Sequence, residues 1–393
     1  MDKIRVGIVG VGNCACSLYQ GFTYYKDNKV DNGLMRGKIG NYDTNSIEVV
    51  LAIDVDSRKV EKSFKDAMFS EPNCTPLFVD KNDLPDGPLV LMGEILDGIA
   101  PHMLEANEEE GFRISYKRPC NVVEELKNNK VDILINYLPV GSQKATEFYA
   151  QCCIDANVSF LNCIPIFIAS NPVWEQKFID AGIPIIGDDM KSQFGASILS
   201  QMLQELAFTR GHKVKCHIQR NIGGNADFLN MTDVNRLASK KTSKENVIKS
   251  QNIIRDIPLE GSFFHAGPSE YIRYHKDNKI ANFHLEMEGF MGSPVVLDAQ
   301  LSVIDSPNSG GVVMDAIRYL KVARNMGLCG SLRGPSAFTQ KTPPQQLTLN
   351  DTIYECDMMS KGELTNITKQ QIRTDNKSDN KEDEVGPGPA PSP

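Results

Sequence analysis

The segment Ser239-Lys240-Lys241-Thr242-Ser243-Lys244 sets Lys240 and Lys244 four residues apart, so on a helix both face one side. Two ammonium groups held that close repel unless an anion sits between them, and a phosphate monoester supplies one. A solvated basic helix face is the plainer alternative. A second cluster, Gly187-Asp188-Asp189-Met190-Lys191-Ser192, follows a short apolar run, where an α/β sheet opens its ligand crevice. Its acids and Lys191 suit sugar hydroxyls, a metal or a proton relay; a helix cap by Asp188 or Asp189 beside a solvated lysine accounts for the same residues. A third stretch, Asn221 to Asn230, combines Gly223 and Gly224 with Asn225, Asp227 and Asn230. Amide and carboxylate groups there can hold hydroxyls or phosphate-linked oxygens while the glycines let a ligand come close, although an Asn/Gly loop has the same composition. Lys279, Asp305 and Lys341 are isolated charges, and Asp305-Ser306-Pro307 reads as a helix start. The histidines form no HxxxH or HxH pair and no G-x-S-x-G is present, which argues against zinc- or serine-hydrolase chemistry.

A different chemistry is written near the N-terminus. Gly10-Val11-Gly12-Asn13-Cys14-Ala15 is G-x-G-x-x-A, directly after a β-branched run and opening a helix. Gly10 permits the tight turn, Gly12 lets backbone approach a pyrophosphate, and Ala15 keeps the helix close to the sheet. Asn13 and Cys14 begin the helix whose N–H groups meet the anion. Asp54, ending the next strand, accepts hydrogen bonds from a ribose diol and favours NAD over NADP. It lies about twice the usual ~20 residues from the glycines, an excess that the polar insertion around 26–46 explains.

These groups need a scaffold. Ile4 to Val9, Val49 to Ile53, Val131 to Asn136, Val158 to Cys163 and Ile183 to Ile186 read as buried strands. Helical stretches at Asn13 to Tyr24, Ser142 to Asp155 and Pro172 to Asp180 alternate with them, which implies βαβ units and a doubly wound parallel sheet. Residues 71–119 show no assignable period. From Val214 the pattern changes: Val214 to Ile222, Ile280 to Phe290 and Pro294 to Ile304 are longer strands with in/out alternation, suited to an open sheet. A helix from Asn235 to Arg255 lies among them, and Gly310 to Asn325 is helical again. The expected organisation is a dinucleotide-binding domain over 1–194, an inserted α+β catalytic and oligomerisation domain over 195–307, and a return to the first domain over 308–365. The polar, proline-rich end, 366–393, reads as a disordered tail.

The totals restrict the function classes. A net charge of −8 with no basic stripe argues against nucleic acid as a partner, and no apolar run reaches membrane-spanning length. The ten cysteines are scattered without CxxC pairs, as reduced thiols packed in apolar stretches. A strand beginning almost at Met1 leaves no room for a signal peptide, so the expected location is cytoplasmic.

Taken together, the segments from Val6 to Ala15, Tyr137 to Ser142, Gly187 to Ser192, Gly223 to Asn230, Ser239 to Lys244 and Asp305 to Ser309 resemble myo-inositol-phosphate synthases. The resemblance is to the shorter archaeal and actinobacterial branch, over about residues 3 to 350. It implies a Rossmann-type sheet with the inserted domain, NAD, glucose 6-phosphate as substrate, and isomerisation to 1D-myo-inositol 3-phosphate. The implied course is oxidation at C5, enolisation, aldol closure onto C1 and re-reduction. By resemblance, Lys240, Lys244, Lys279 and Lys341 are the family's active-site lysines. Lys240 would transfer the proton at the C5 oxygen and Lys279 would stabilise the C1 oxygen. Lys244 and Lys341 would hold phosphate or polarise developing oxyanions. Asp189, Asp227 and Asp305 would orient lysines, hydroxyls or the nicotinamide end. Asp188 and Ser306 are expected beside the cofactor, and Lys191, Asn225 and Asn230 beside the substrate. The resemblance further implies a homotetramer formed through the second sheet, and leaves open a divalent or monovalent cation. The competing reading is a sugar-phosphate dehydrogenase that releases NADH.

Overall fold

The computed structural model describes residues 3–28 and 31–363; the segment expected to be a tail, 366–393, lies outside them. Six strands come first: β1 (Ile4–Val9), β2 (Ile47–Asp54), β3 (Val90–Met92), β4 (Ile133–Asn136), β5 (Ser159–Asn162) and β6 (Pro184–Ile186). The chain then leaves to build a second sheet from β7 (Lys213–Gly223), β8 (Phe263–Tyr271), β9 (Asn278–Glu288) and β10 (Pro294–Ile304). It returns through the helix Pro307–Asn325 to β11 (Gly330–Ser331).

The first sheet is parallel throughout, in the order β11-β6-β5-β4-β1-β2-β3. Both faces are covered, which is why its strands read as unbroken apolar runs. Ile4, Val6, Ile8, Ile133 and Ile135 pack on the helices Asn13–Asn28 and Pro307–Asn325. Leu51, Ile53, Leu134 and Phe160 pack on the helices Gln143–Ala156 and Pro172–Asp180. Each such side chain, fully buried, contributes about 1.5–3 kcal/mol.

The second sheet is mixed, in the order β10-β9-β7-β8, with β7 and β8 parallel and the other pairs antiparallel. Helices Ala196–Thr209 and Val234–Ile254 cover one face, against β7, β8 and β9. The other face is open, and β10 alternates between exposed and half-buried residues along its whole length. Among the described residues no helix is long and apolar enough to cross a membrane.

Three strands lie outside the sequence reading. β3 falls within the stretch that showed no period, β11 has two residues, and β8 contains Gly267-Pro268. A proline is tolerated there because β8 is the edge strand of its sheet.

Candidate functional site

The carboxyl ends of β1, β2, β4, β5 and β6 open into a cleft of about 1900 Å³, mouth included, whose far wall comes from the second sheet and the helix Val234–Ile254. Gly10, Gly12, Asn13, Cys14 and Asp54 line one end, and Lys240, Lys244, Lys279 and Lys341 line the other together with Asp189, Asp227 and Asp305.

At the glycine end, Gly10 adopts φ +90°, and a Cβ there would stand 2.6 Å from the Tyr137 carbonyl oxygen. No side-chain residue fits both constraints. Gly12 is different: a Cβ on it meets nothing within 4 Å. Its backbone therefore faces open cleft at the start of the helix Asn13–Asn28, the geometry that a pyrophosphate needs. Ala15, in the first turn of that helix, is fully buried. Asn13 is turned to the neighbouring loop, its Oδ1 accepting from the Cys74 N–H at 2.7 Å. Burial and the Asp305 charge push the Cys14 thiol up to about 12, so it packs as an inert neighbour.

Asp54 spends part of its carboxylate on the turn. It accepts from the Val11 N–H at 2.7 Å, the Val55 N–H at 2.7 Å and the Asp56 N–H at 2.9 Å. Behind it the buried Lys59 donates to the Val11 carbonyl at 2.8 Å and to Asn73 Oδ1 at 3.2 Å, with its Nζ 3.9 Å from Asp54 Oδ2. Lys59 and Asn73, which carry no local motif, thus tie the glycine turn to the end of β2.

The lysine end is centred on Asp189. Its residue has φ +64°, a left-handed conformation that Asp tolerates. Lys240 Nζ donates to Asp189 Oδ1 at 3.2 Å and Lys341 Nζ to the same oxygen at 2.9 Å, while Ser243 Oγ donates to Oδ2 at 2.7 Å. Short antiparallel pairing brings Lys341 there: its N–H donates to the Asp189 carbonyl at 2.7 Å and the Thr342 N–H to that of Asp188 at 3.0 Å. Lys279, on β9, forms an ion pair with Asp305, just past the end of the adjacent β10.

Charge sets these groups apart. Burial alone would raise the Asp189 carboxyl, but the ammonium groups of Lys240 and Lys341 outweigh it and hold it well below the usual range. Burial likewise opposes charge on Lys240, yet Asp189 and Asp227 keep it protonated. Lys341 is brought down to about 8, because burial and the Lys240 charge exceed the help from Asp189. Lys244 is buried, pairs with none of the described residues, and is pushed well below its ordinary value by burial and by Lys240, Lys341 and Lys279. A site with four lysines around so few carboxylates is short of negative charge, and an anionic ligand would supply it.

Two expected site residues turn out to build the cleft from behind. Asp188 is fully buried and absent from the cleft lining; its oxygens take five donors, from Asn162 Nδ2, Ser170 Oγ and the N–H groups of Ile168, Ala169 and Ser170. The sequence reading placed it beside the cofactor, but its acceptor capacity goes into the loop that supports Asp189. Lys191 was expected beside the substrate, yet its Nζ donates to the Ala337 carbonyl at 2.7 Å, away from the lining, and burial brings it down to about 7.

Asn225 and Ser306 do line the cleft, and both rest on Asp277, which the sequence reading did not single out. Ser306 Oγ donates to Asp277 Oδ1 at 2.7 Å and Asn225 Nδ2 to the same oxygen at 3.3 Å. Asn225 Oδ1 also caps the helix Ala226–Asn230 that carries Asp227. Asn230 anchors its Nδ2 on the Val140 carbonyl at 2.9 Å and keeps Oδ1 without a protein partner. Among the described residues no group of three or more His, Cys, Asp or Glu is arranged to hold a metal ion.

The profile of the family described as Myo-inositol-1-phosphate synthase matches residues 195–306. The inositol-3-phosphate synthase of Mycobacterium tuberculosis is 44% identical over 348 residues, covering 88% of this chain and 92% of that protein. The inositol-3-phosphate synthase of Corynebacterium glutamicum is 45% identical over 354 residues, covering 88% and 95%. Among solved structures, a myo-inositol-1-phosphate synthase-related protein from Thermotoga maritima superposes with a TM-score of 0.76 at 23% identity, covering 92% of this chain and 99% of its own. That likeness shows the fold.

Proposed function

The chain belongs to the myo-inositol-1-phosphate synthase family, a family of isomerases, and from that premise we propose that it converts D-glucose 6-phosphate to 1D-myo-inositol 3-phosphate with NAD. The observation that carries this reading is the convergence of Lys240, Lys244, Lys279 and Lys341 with the Gly10–Ala15 turn on one cleft. The open space at Gly12, the helix start at Asn13 and the Asp54 carboxylate at the end of β2 suit a dinucleotide, which would be held there by Gly10, Gly12 and Asp54. When bound, NAD supplies the hydride acceptor and donor at C5.

The chain's own residues manage charge and protons. Lys240 and Lys341 share one oxygen of Asp189, and Lys341 at about 8 makes the pair able to lose one proton near neutral pH. That vacancy takes the proton of the C5 hydroxyl as the carbonyl forms and returns it when C5 is reduced again. The C5 ketone acidifies C6, whose proton passes to the substrate's own phosphate; the enolate carbon attacks C1, and the C1 alkoxide takes that proton up. Lys279, oriented by Asp305, stabilises the oxygen that becomes an alkoxide at C1. Lys244, lacking a carboxylate partner, regains its proton beside the substrate phosphate. On this reading the region of β7 to β10 is the catalytic and assembly module, and its open face joins four copies.

Incubation with glucose 6-phosphate and substoichiometric NAD, followed by phosphorus NMR, tests the assignment. Inositol 3-phosphate with no net NADH is expected. Stoichiometric NADH with an oxidised sugar would establish the dehydrogenase instead.

A further inference from the structure

The inner face of β7 is polar where a sheet lying under a helix calls for apolar side chains. His217, Gln219 and Asn221 point inward in alternation and are 0%, 2% and 1% exposed. The helix Ala196–Thr209 meets them with Ser200 and Gln204, both fully buried, although its neighbours Leu199 and Leu203 pack on the apolar part of the sheet. Five enclosed polar side chains are costly unless every one is bonded. A local rule broken this consistently marks a functional demand.

The bonds form one line. Gln204 Nε2 lies 2.9 Å from His217 Nδ1, and His217 Nε2 lies 3.1 Å from Ser200 Oγ. Ser200 Oγ donates to Gln219 Oε1 at 2.8 Å, Gln219 Nε2 to Asn221 Oδ1 at 3.2 Å, and Asn221 Nδ2 to the Gly267 carbonyl at 2.8 Å. The last bond fixes the direction of all the others. A backbone carbonyl only accepts, so Asn221 turns Nδ2 to Gly267 and Oδ1 to Gln219. Gln219 therefore donates from Nε2 and accepts at Oε1. Ser200 spends its proton on Gln219 and must accept from the imidazole. His217 is thereby the Nε2–H tautomer, with Nδ1 accepting from Gln204. Burial, which brings this imidazole down to about 4, keeps it neutral.

The line ends in the cleft: Gln219 and Asn221 belong to its lining, while Ser200, His217 and Gln204 stand behind them. We propose that His217 is a positioning residue for the sugar: acting through Ser200, it holds the Gln219 amide, whose other end rests on Asn221 and the Gly267 carbonyl, in place toward the substrate hydroxyls. Each amide keeps one N–H beyond the line, and Asn221 Oδ1 keeps a lone pair. A polyol, whose hydroxyls both donate and accept, matches such a mixed set. Without the imidazole, Ser200 is free to rotate away from Gln219 Oε1, and the Gln219 amide is left held only at its Asn221 end. The inference rests on the sugar-phosphate reading of the cleft.

The test compares His217→Leu and His217→Gln with the wild type, measuring KM and kcat for glucose 6-phosphate, NAD affinity by calorimetry, and melting temperature. Glutamine restores an N–H donor near the Nε2 position. H217L is expected to raise KM about tenfold, the effect of losing roughly one well-made hydrogen bond, with a smaller change in kcat and unaltered NAD affinity. H217Q should recover most of the wild-type KM. A purely structural residue would lower the melting temperature in proportion to the lost packing and leave KM alone, and that outcome overturns the proposal. If H217L fails to fold, Ser200→Ala cuts the same line with a smaller change, and an unchanged KM there overturns it equally. A wild type that forms no inositol phosphate sinks the sugar-phosphate reading itself, whereas an active H217L with normal KM sinks this inference alone.

Discussion

Asp189 does the work of two partners with one oxygen, since Lys240 and Lys341 both donate to Oδ1. The proposed isomerisation needs a base form for the C5 proton, and Lys341 sits at about 8, so kcat/KM should rise with pH through that region. Asp189→Asn removes the charge that favours both ammonium groups, so their pKa values fall and the rising limb moves to lower pH. A pH profile of kcat/KM measures this directly, and a limb that stays in place would falsify the assignment. Lys279→Ala leaves the Asp305 carboxylate without its ion-pair partner and, in the proposed closure, the C1 oxygen without a cation. Turnover should fall by about 10²–10³-fold or more while NAD still binds, read by product NMR and calorimetry. Near-normal turnover would remove Lys279 from the mechanism. At this scale the sequence was partly legible. The i, i+4 spacing of Lys240 and Lys244 and the glycine turn speak locally, but Lys279, Asp305 and Lys341 carry no local pattern and stood out only by resemblance. Asp277, Lys59 and His217 were silent because their partners are distant in the chain: Asp277 acts on Asn225 and Ser306, and Lys59 on Val11 and Asn73. Asp188 and Lys191 misled for the opposite reason, since a motif shows which residues are adjacent and not which way each side chain turns.

Between residue and molecule, the strand–turn–helix at Ile4 to Asn28 separates two duties that one motif joins. Gly10 is demanded by the backbone, through its φ and its 2.6 Å approach to Tyr137; Gly12 is demanded by nothing in the chain itself. Gly10→Ala should therefore destabilise the protein, by about 1–3 kcal/mol for the conformation alone, visible as a lower melting temperature. Gly12→Ala should melt like the wild type and bind NAD at least about tenfold more weakly, a loss near 1.4 kcal/mol. Equal melting of the two variants would mean that the turn is not the constraint. The elements legible in sequence are those whose burial dictates their composition: β1, β2, β4, β5 and β6 are continuous apolar runs because helices cover both faces. The region 71–119 is held differently. Arg58 bonds Asp56 and the Gly111 carbonyl, and the Arg113 N–H bonds Asp56, so long-range polar ties take the place of a periodic face. β3, with three residues, exists through its pairing with β2 and leaves no periodic trace of its own.

For the whole molecule, the proposed function asks the second sheet to serve both catalysis and assembly. Its helices cover the face toward Ala196, Phe283 and Leu285, leaving the opposite face of β10 in solvent with Val296 58% exposed. Beyond it, the turn between β9 and β10 presents Phe290 and Met291, 84% and 88% exposed. This face is mixed, Val296 and Ile304 flanking Asp298, Gln300 and Ser302, and a stable contact across it needs about 800 Å² from each partner. The expected assembly is a homotetramer built across this face. Val296→Asp would place a charge in the expected contact, and light scattering should report dimers or monomers in place of the tetramer. Activity should follow, because Lys279 lies on β9 in register with Val303 of β10, and Asp305 is the first residue after β10. On the proposed function, the strands that would meet the partner are those that hold Lys279 and Asp305. Releasing them should lower kcat more than NAD affinity, since the glycine turn belongs to the other sheet. A wild type that is monomeric in solution, or a V296D protein that keeps both its mass and its turnover, would show that this face is free and that the Lys279–Asp305 pair is held in place without a partner subunit.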